Sequence, residues 1–400
     1  MTVWTALQFG AGNIGRGFMG QLFYETGYRT VFVDASRDLV SKLRERGRYT
    51  LRLLEAYTCK EIDMGIDHVD ALHPDMRDDI VHKFAEALVV GTAVGINNLE
   101  AISPLIADGI VKRYRERREP VDIYLCENTF RAAGDLKQRV FSHLGEEIAG
   151  WAEENIGFVG TSVARMVPAS SDRFKSDDPL FVVADSYHKL PYDGAATRAQ
   201  PLGIMGAYPV RNFKAEMERK LYTHNLGHAV MGYLGYLKGY SFVHEPFHDD
   251  LLSRLFDATL DETSQALLKT YPQDLDPEEH RAIRADVKIR FSNSLLQDSV
   301  QRVARDPIRK LGPDDRLVGS AMMCIDHDIF PDNGAAICGA ALCYDYPEDP
   351  EAVRLQKMLE RNGAAATLRE ISHVEPGSEL GDKIIESYKV WNKKKLEWRR

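Results

Sequence analysis

At 400 residues the chain has room for two or three domains, each able to bury its own core. Hydrophobic residues make up 44% and charged residues 28%, which excludes a disordered or collagen-like protein. Acidic residues outnumber basic ones 60 to 51, a formal charge of −9, so bulk attraction to nucleic acid or anionic membrane is not expected, though a local basic pocket is allowed. The five cysteines contain no CxxC pair, which supports neither a disulfide framework nor a structural zinc site. No signal-peptide pattern opens the sequence, and no apolar run reaches the roughly 18 residues of a membrane span. The expectation is a reduced, soluble, cytoplasmic protein.

In chain order, Val3–Phe9, Thr30–Val33, Ala87–Val90 and Val121–Leu125 are short apolar runs that predict buried strands. Between them Ile14–Thr26, Leu39–Arg46 and Leu99–Arg117 carry helical periodicity. Strand and helix in alternation predict right-handed βαβ crossovers and a mostly parallel sheet. β-like text resumes at Phe158–Val167 and Leu180–Ala184. A stretch punctuated by Gly and Pro, Pro191–Pro209, then predicts the domain boundary. Beyond Val210 the patterns are long and helical: Phe213–Leu237, Phe247–Tyr271, Pro277–Val303, Pro350–Arg361 and Ser378–Trp398. The chain therefore reads as a parallel α/β domain over residues 1–200 and a mostly α-helical domain over residues 201–400.

The strongest local signal is Gly10-Ala11-Gly12-Asn13-Ile14-Gly15, a GxGxxG run that follows a predicted strand and opens a predicted helix. Gly10 permits the tight turn, Gly12 lets a pyrophosphate approach the backbone, and Gly15 lets the helix pack on the sheet. Phosphate would meet free N–H groups at a positive helix end. The first domain is thus expected to be of Rossmann type. Asp34 ends the second strand, 19 positions beyond Gly15, where an acid accepts hydrogen bonds from the adenosine ribose and favours NAD over NADP. A plain helix N-cap is the other reading of Asp34, and Arg37 nearby could meet a 2′-phosphate. Thr92 and Val94, after the third strand, and Asn128, after Val121–Leu125, lie where strands end and ligands bind. Asn128 reads equally as the N-cap of the next helix.

Lys220, Asn225 and His228 fall on one predicted helix. At about 100° per residue they lie near 0°, 140° and 80°, within one sector, and His224 shares it. Oxidising a secondary alcohol requires removal of its hydroxyl proton. An amine serves as base when its pKa falls from near 10.4 through desolvation or neighbouring positive charge. Asn225 and His228 would then hydrogen-bond the substrate oxygen and stabilise alkoxide charge.

Phe9–Gly17, Thr92–Gly95, Cys126–Asn128, Glu218–His228, Pro307–Leu311 and Asp315–Leu317 together resemble the polyol-specific long-chain dehydrogenases, the mannitol dehydrogenase family, whose mark is K-x4-N-x2-H. The resemblance implies a Rossmann domain, a helical second domain, catalysis in the cleft between them, NAD as cofactor, and no metal. It assigns the general base to Lys220, the holding of the reacting oxygen to Asn225 and His228, and the orienting of both to Asn128. It implies the interconversion of mannitol 1-phosphate and fructose 6-phosphate. Where the family pattern has Asp-Arg-Ile-Val-Pro, this chain has Ala164-Arg165-Met166-Val167-Pro168.

An anionic substrate needs cations, and Arg131, Arg309 and Lys310, with Arg316 beside them, are the candidates. The plainer reading pairs the last three with Asp306, Asp314 and Asp315 on the surface. Three rivals stay open: an uncharged polyol as substrate, a hexuronate such as tagaturonate or fructuronate, and an NAD-binding sensor without turnover.

Overall fold

The computed structural model describes residues 4–168, 174, 176–200 and 203–398. Val3, the expected start of the first strand, and residues 201 and 202, at the expected boundary, lie outside them.

The chain forms two compact units, residues 1–217 and 218–400. In the first, six strands build one parallel sheet: β1 (Thr5–Phe9), β2 (Arg29–Val33), β5 (Val69–Leu72), β6 (Val89–Thr92), β7 (Val121–Leu125) and β8 (Ile156–Gly160). Their order, β5-β2-β1-β6-β7-β8, reverses direction between β1 and β6, which makes that crevice the topological switch point. β7 is buried along its whole length and β1 over all but its first residue, as expected of parallel strands covered on both faces. Helices α1 (Gly20–Thr26), α2 (Arg37–Arg46), α3 (Arg77–Glu86), α4 (Leu99–Arg115), α5 (Ala132–Phe141) and α6 (Glu146–Asn155) supply the crossovers and cover. Leu7, Phe9, Val90, Ile106, Ile123 and Leu136 lie in one continuous core between the sheet and helices α3 to α6.

A smaller sheet does not belong to the alternating pattern. β3 (Tyr49–Glu55) and β4 (Lys60–Ile66) form an antiparallel hairpin, and β9 (Val182–Asp185) joins β3 in parallel. β10 (Leu190–Asp193) pairs in parallel with β11 (Ala207–Val210). That pairing keeps the chain in the first unit beyond residue 200, where sequence punctuation divides it. The division instead falls within α7 (Phe213–Lys220).

The second unit holds α8 (Leu226–Lys238), α9 (Asp250–Thr270), α10 (Pro277–Phe291), α11 (Val300–Ala304), α12 (Pro307–Lys310), α13 (Val318–Ile325), α14 (Asp332–Leu342), α15 (Pro350–Ser372) and α16 (Glu379–Trp398). Three helices begin on an aspartate cap: Asp249 accepts from the Leu251 and Leu252 amides, Asp276 from Glu279, and Asp349 from Glu351. The long helix expected over Pro277–Val303 is broken. α10 stops at Phe291, Gln297 takes a positive φ of 45°, and Ser299 caps α11 by accepting from the Arg302 amide at 3.2 Å. Gly363, with φ 75° and ψ 167°, kinks α15. Among the described residues no helix is long and apolar enough to cross a membrane.

One buried cation links α3 to α4. Arg113 Nη1 donates to the carbonyls of Phe84, Ala85 and Ala87 at 3.1, 3.0 and 2.8 Å, satisfying the open C-terminal end of α3. Replacing it (Arg113→Met) leaves those acceptors buried and unpaired. The expected loss is about 2–4 kcal/mol of unfolding free energy, read from urea unfolding.

Candidate active site

The glycine loop follows β1 and turns into a helix whose first full turn, Gly15–Met19, is a π-turn running on into α1. Gly10 has φ +88°, and a Cβ there would meet the Ala93 carbonyl oxygen at 2.4 Å. A Cβ on Gly15 would stand 1.9 Å from the Gly10 oxygen. Nothing lies within 4 Å of the position a Cβ would take on Gly12. Two of the three glycines are therefore required by the fold, and the third faces open space. The first-turn amides after Gly12 lack intrahelical acceptors, as at any helix start. Ala11 is buried, Ile14 partly so, and Asn13 is exposed beside Gly12.

Asp34 meets this loop directly. Its Oδ2 accepts from the Ala11 amide at 2.8 Å and its Oδ1 from the Ser36 amide at 2.9 Å. The cap of α2 is Ser36, whose Oγ accepts from the Leu39 amide at 3.3 Å, so Asp34 is not the cap. Arg37 is paired with Asp75 on the surface. Open space at Gly12, positive helix amides and a carboxylate at the end of β2 together fit the pyrophosphate and ribose of a dinucleotide.

Three buried charged groups that sequence reasoning passed over brace the loop and the end of β6. Arg16 Nε donates to the Ala11 carbonyl at 2.6 Å and its Nη1 to Leu180 at 2.8 Å. Arg165, from the Ala-Arg-Met-Val-Pro segment, donates through Nη1 to Gly17 at 2.7 Å and to Gln21 at 2.6 Å, with its guanidinium over the Phe18 ring. Glu127 is 5% exposed; its Oε2 accepts from the Thr92 hydroxyl at 2.7 Å and its Oε1 from the Val94 amide at 3.0 Å. Thr92 is fully buried and its hydroxyl is committed to Glu127. The signal for Glu127 was the acidic residue between Cys126 and Asn128, at a strand end otherwise read for its asparagine.

Asn128 is exposed, and α5 begins only after Arg131, so the asparagine is not its cap. Arg131 is exposed, three residues after Asn128.

The second unit carries Lys220, Asn225 and His228. The helix that bears them is not regular: Leu221–Asn225 is a π-turn, with the Leu226 amide on the Leu221 carbonyl, between α7 and α8. In such a turn residues five apart align as residues four apart do in an α-helix. Lys220 and Asn225 thus fall on one face, one turn apart, and His228 follows three residues on. The regular-helix expectation of a 140° separation is replaced by a tighter alignment.

His228 stacks on Phe291, with centroids 4.6 Å apart and planes at 18°. Its Nε2 lies 3.0 Å from Asp298 Oδ2, in the segment where α10 is broken. Arg302 holds the same carboxylate with two donors, through Nε and Nη2. Salt-bridged and hydrogen-bonded in this way, the Asp298 carboxyl falls to about 2 despite its burial. Burial pushes His228 below its usual value, opposed by Asp298. Burial pushes His224 well below as well, helped by the positive charges of Arg290, Lys220 and Arg316.

The expected anion-binding cations divide. Lys310 is 3% exposed, and its Nζ donates to the carbonyls of Val303, at 2.7 Å, and Arg305. Burial, with Arg316 and Arg309 nearby, lowers its pKa to about 6. It is committed to the chain rather than turned to a ligand, a correction to the substrate role read from its place in the basic cluster. Arg309 is half-exposed and paired with Asp315 at 3.0 Å and Asp306 at 3.5 Å, matching the plainer reading. Arg316 is largely buried, with Nε 2.8 Å from Asp315 Oδ1.

Two family models match the chain in succession, the mannitol dehydrogenase Rossmann domain over residues 4–205 and the mannitol dehydrogenase C-terminal domain over residues 212–391. The chain belongs to the mannitol dehydrogenase family. It is 36% identical to a mannitol-1-phosphate 5-dehydrogenase of Bacillus licheniformis over 386 residues, covering 96% of this chain and all of that one. A protein of the same name from Caldanaerobacter subterraneus is 34% identical, covering 96% and 97%. Among solved structures, a substrate-free D-sorbitol dehydrogenase superposes with a TM-score of 0.81 at 18% identity, over 98% of this chain and 94% of its own. The Pseudomonas fluorescens mannitol 2-dehydrogenase, in a ternary complex with NAD and D-mannitol, gives 0.76 at 18%, over 99% and 94%. At that identity the two structures speak to the fold alone.

The buried histidines set an acid limit on stability. A histidine kept neutral by the fold takes up its proton on unfolding near pH 6.5, so stability is complete above that pH and falls below it. His280, lowered to about 4, loses stability from pH 6.5 down to 4; the depressed Asp298 carboxyl adds a second loss from about 3.8 down to 2. Urea unfolding between pH 7 and 4.5 is expected to show a steady fall. His280→Gln should reduce the slope by up to about 1.4 kcal/mol per pH unit.

Proposed function

We propose that this chain is an NAD-dependent oxidoreductase that interconverts a polyol phosphate and a ketose phosphate, most narrowly mannitol 1-phosphate and fructose 6-phosphate. The observation that carries the reading is the alignment of Lys220 and Asn225 across a π-turn, one turn before His228. The full-length similarity to mannitol-1-phosphate 5-dehydrogenases supports the substrate.

Bound NAD supplies the acceptor for the hydride leaving the carbinol carbon. Gly10, Ala11, Gly12, Asn13, Ile14 and Gly15 cradle its pyrophosphate, Asp34 takes the ribose hydroxyls, and Thr92 and Val94, fixed by Glu127, shape the neighbouring strand end. Lys220 Nζ removes the hydroxyl proton in oxidation and returns it in ketone reduction. The Asn225 amide donates to the reacting oxygen, His228 contacts a substrate hydroxyl, and Asn128 orients the lysine and the oxygen. Arg131 is the cation assigned to the phosphate, with Arg309 and Arg316 available if they leave their aspartates.

A second reading, an uncharged polyol, is favoured by the commitment of Lys310 to carbonyls and of Arg309 to aspartates. NADH oxidation with fructose 6-phosphate, fructose, tagaturonate and fructuronate at equal concentration separates the two. The phosphate reading expects kcat/KM for fructose 6-phosphate to exceed that for fructose by roughly 10–100-fold. Equal turnover of fructose selects the uncharged polyol, and preference for a uronate moves the assignment to a carboxylate. Lys220→Ala should lower kcat by about 10²–10⁴-fold; unchanged turnover removes the base assignment.

Cofactor choice is tested at Asp34. Asp34→Ala is expected to weaken NADH binding in fluorescence titration and to narrow the preference over NADPH. Equal affinity of the unsubstituted protein for both cofactors contradicts the ribose assignment.

A further inference from the structure

Resting on the catalytic reading above, we propose that Asp298 is a positioning residue that fixes the proton of His228 on Nε2, so that Nδ1 meets the substrate as a hydrogen-bond acceptor. Three observations carry this. The Nε2 atom is 3.0 Å from Asp298 Oδ2 and closed to solvent, whereas the side chain as a whole keeps 16% of its surface exposed. The open part of the side chain therefore lies away from Nε2. The stack on Phe291 holds the plane of the ring, and in the observed orientation Nε2 is the nitrogen beside the carboxylate. Finally, Asp298 is itself immobilised: its side chain is 1% exposed, Arg302 grips both oxygens, and its carbonyl accepts from the Val243 amide at 2.9 Å.

The chemistry follows from lone pairs. The carboxylate stands off the in-line direction of the ring N–H, yet at 3.0 Å only a hydrogen-bearing nitrogen is attracted to it. A bare nitrogen would set two lone pairs against each other. Burial keeps the ring neutral near pH 7, so one hydrogen serves both nitrogens and Nδ1 is left without one. A nitrogen without hydrogen cannot donate to an alkoxide. It accepts from an O–H, which a polyol offers at each carbon. The stabilisation of alkoxide charge then belongs to Asn225 and the protonated Lys220, and His228 reads the hydroxyl pattern. The charged and titratable groups facing the ring are Asp298, Arg302, Lys310 and His224.

The test is the substitution Asp298→Asn. Arg302 would keep the amide oxygen, which turns the amide NH2 toward Nε2 and requires that nitrogen to be bare, moving the hydrogen to Nδ1. Long-range proton–nitrogen NMR of the full chain with labelled histidine reads this directly, with His228 identified by its loss in His228→Gln. The expected result is Nε2 protonation in the unsubstituted protein and Nδ1 protonation in Asp298→Asn. Protonation of Nδ1 at the outset, or the same tautomer in both, overturns the proposal. In kinetics, kcat/KM should fall roughly 10–100-fold, the scale of one mismatched buried hydrogen bond. In a His228→Ala background, Asp298→Asn should cost nothing further; a full additive loss means that Asp298 does not act through His228. If Asp298→Asn fails to fold, Arg302→Gln, which leaves the aspartate facing the ring, should retain the Nε2 tautomer; an Nδ1 tautomer there overturns the proposal. An Nε2 tautomer in a protein that turns over none of the four ketoses supports the tautomer and overturns the functional reading instead.

Discussion

One extra residue in a helical turn governs which side chains of the second unit can meet one ligand. In a regular helix, positions five apart point well away from each other, and the K-x4-N spacing would place a base and its hydrogen-bonding partner on different flanks. The π-turn at Leu221–Asn225 removes that conflict by letting the fifth residue complete the turn. Its backbone is held on both sides by regular helix, α7 before and α8 after, so the irregular turn is carried by its neighbours. The break after α10 has a comparable effect: it lifts Asp298 out of helical register and allows it to face His228.

The first unit follows a different constraint. A loop that exposes its amides to a ligand cannot satisfy its carbonyls with regular structure, so it recruits buried side chains. Arg16 and Arg165 reach the carbonyls of Ala11, Leu180 and Gly17. Glu127 collects a hydroxyl and an amide from the strand end across the switch point. Each of these groups is costly to bury and is stabilised by hydrogen bonds that also fix backbone geometry. The small sheet of β3, β4 and β9 has its place here: the Tyr49 hydroxyl donates to the Arg16 carbonyl at 2.6 Å, and Leu180, just before β9, receives the Arg16 guanidinium.

The parallel sheet was legible because buried strands announce themselves as short apolar runs and because the GxGxxG run follows one such strand and opens a helical stretch. The hairpin was not. β4 carries Lys60, Glu61 and Asp63 on an exposed edge strand, and its alternation is too polar to register as a strand. The helices of the second unit were legible as periodic stretches, but their interruptions were not. No single residue marks the π-turn, and α10 ends in a Ser292 C-cap without Gly or Pro, followed by a turn in which the Asn293 side chain accepts from the Leu295 amide. Lys310 shows the same limit from the other side. Charge is visible in a sequence, but its direction is not, and this Nζ points into the chain.

The three glycines of the loop answer to different judges. Gly10 and Gly15 are pressed against backbone, so a side chain at either disturbs folding whether or not anything binds. Gly12 faces empty space, and a Cβ there meets no atom of the protein. A descendant of this chain that abandoned its dinucleotide would go on needing the first and third glycines to exist at all. Only the middle one would be released to drift. The identity of that single position is thus a historical record of use, readable in any relative without an assay, and here it is still glycine.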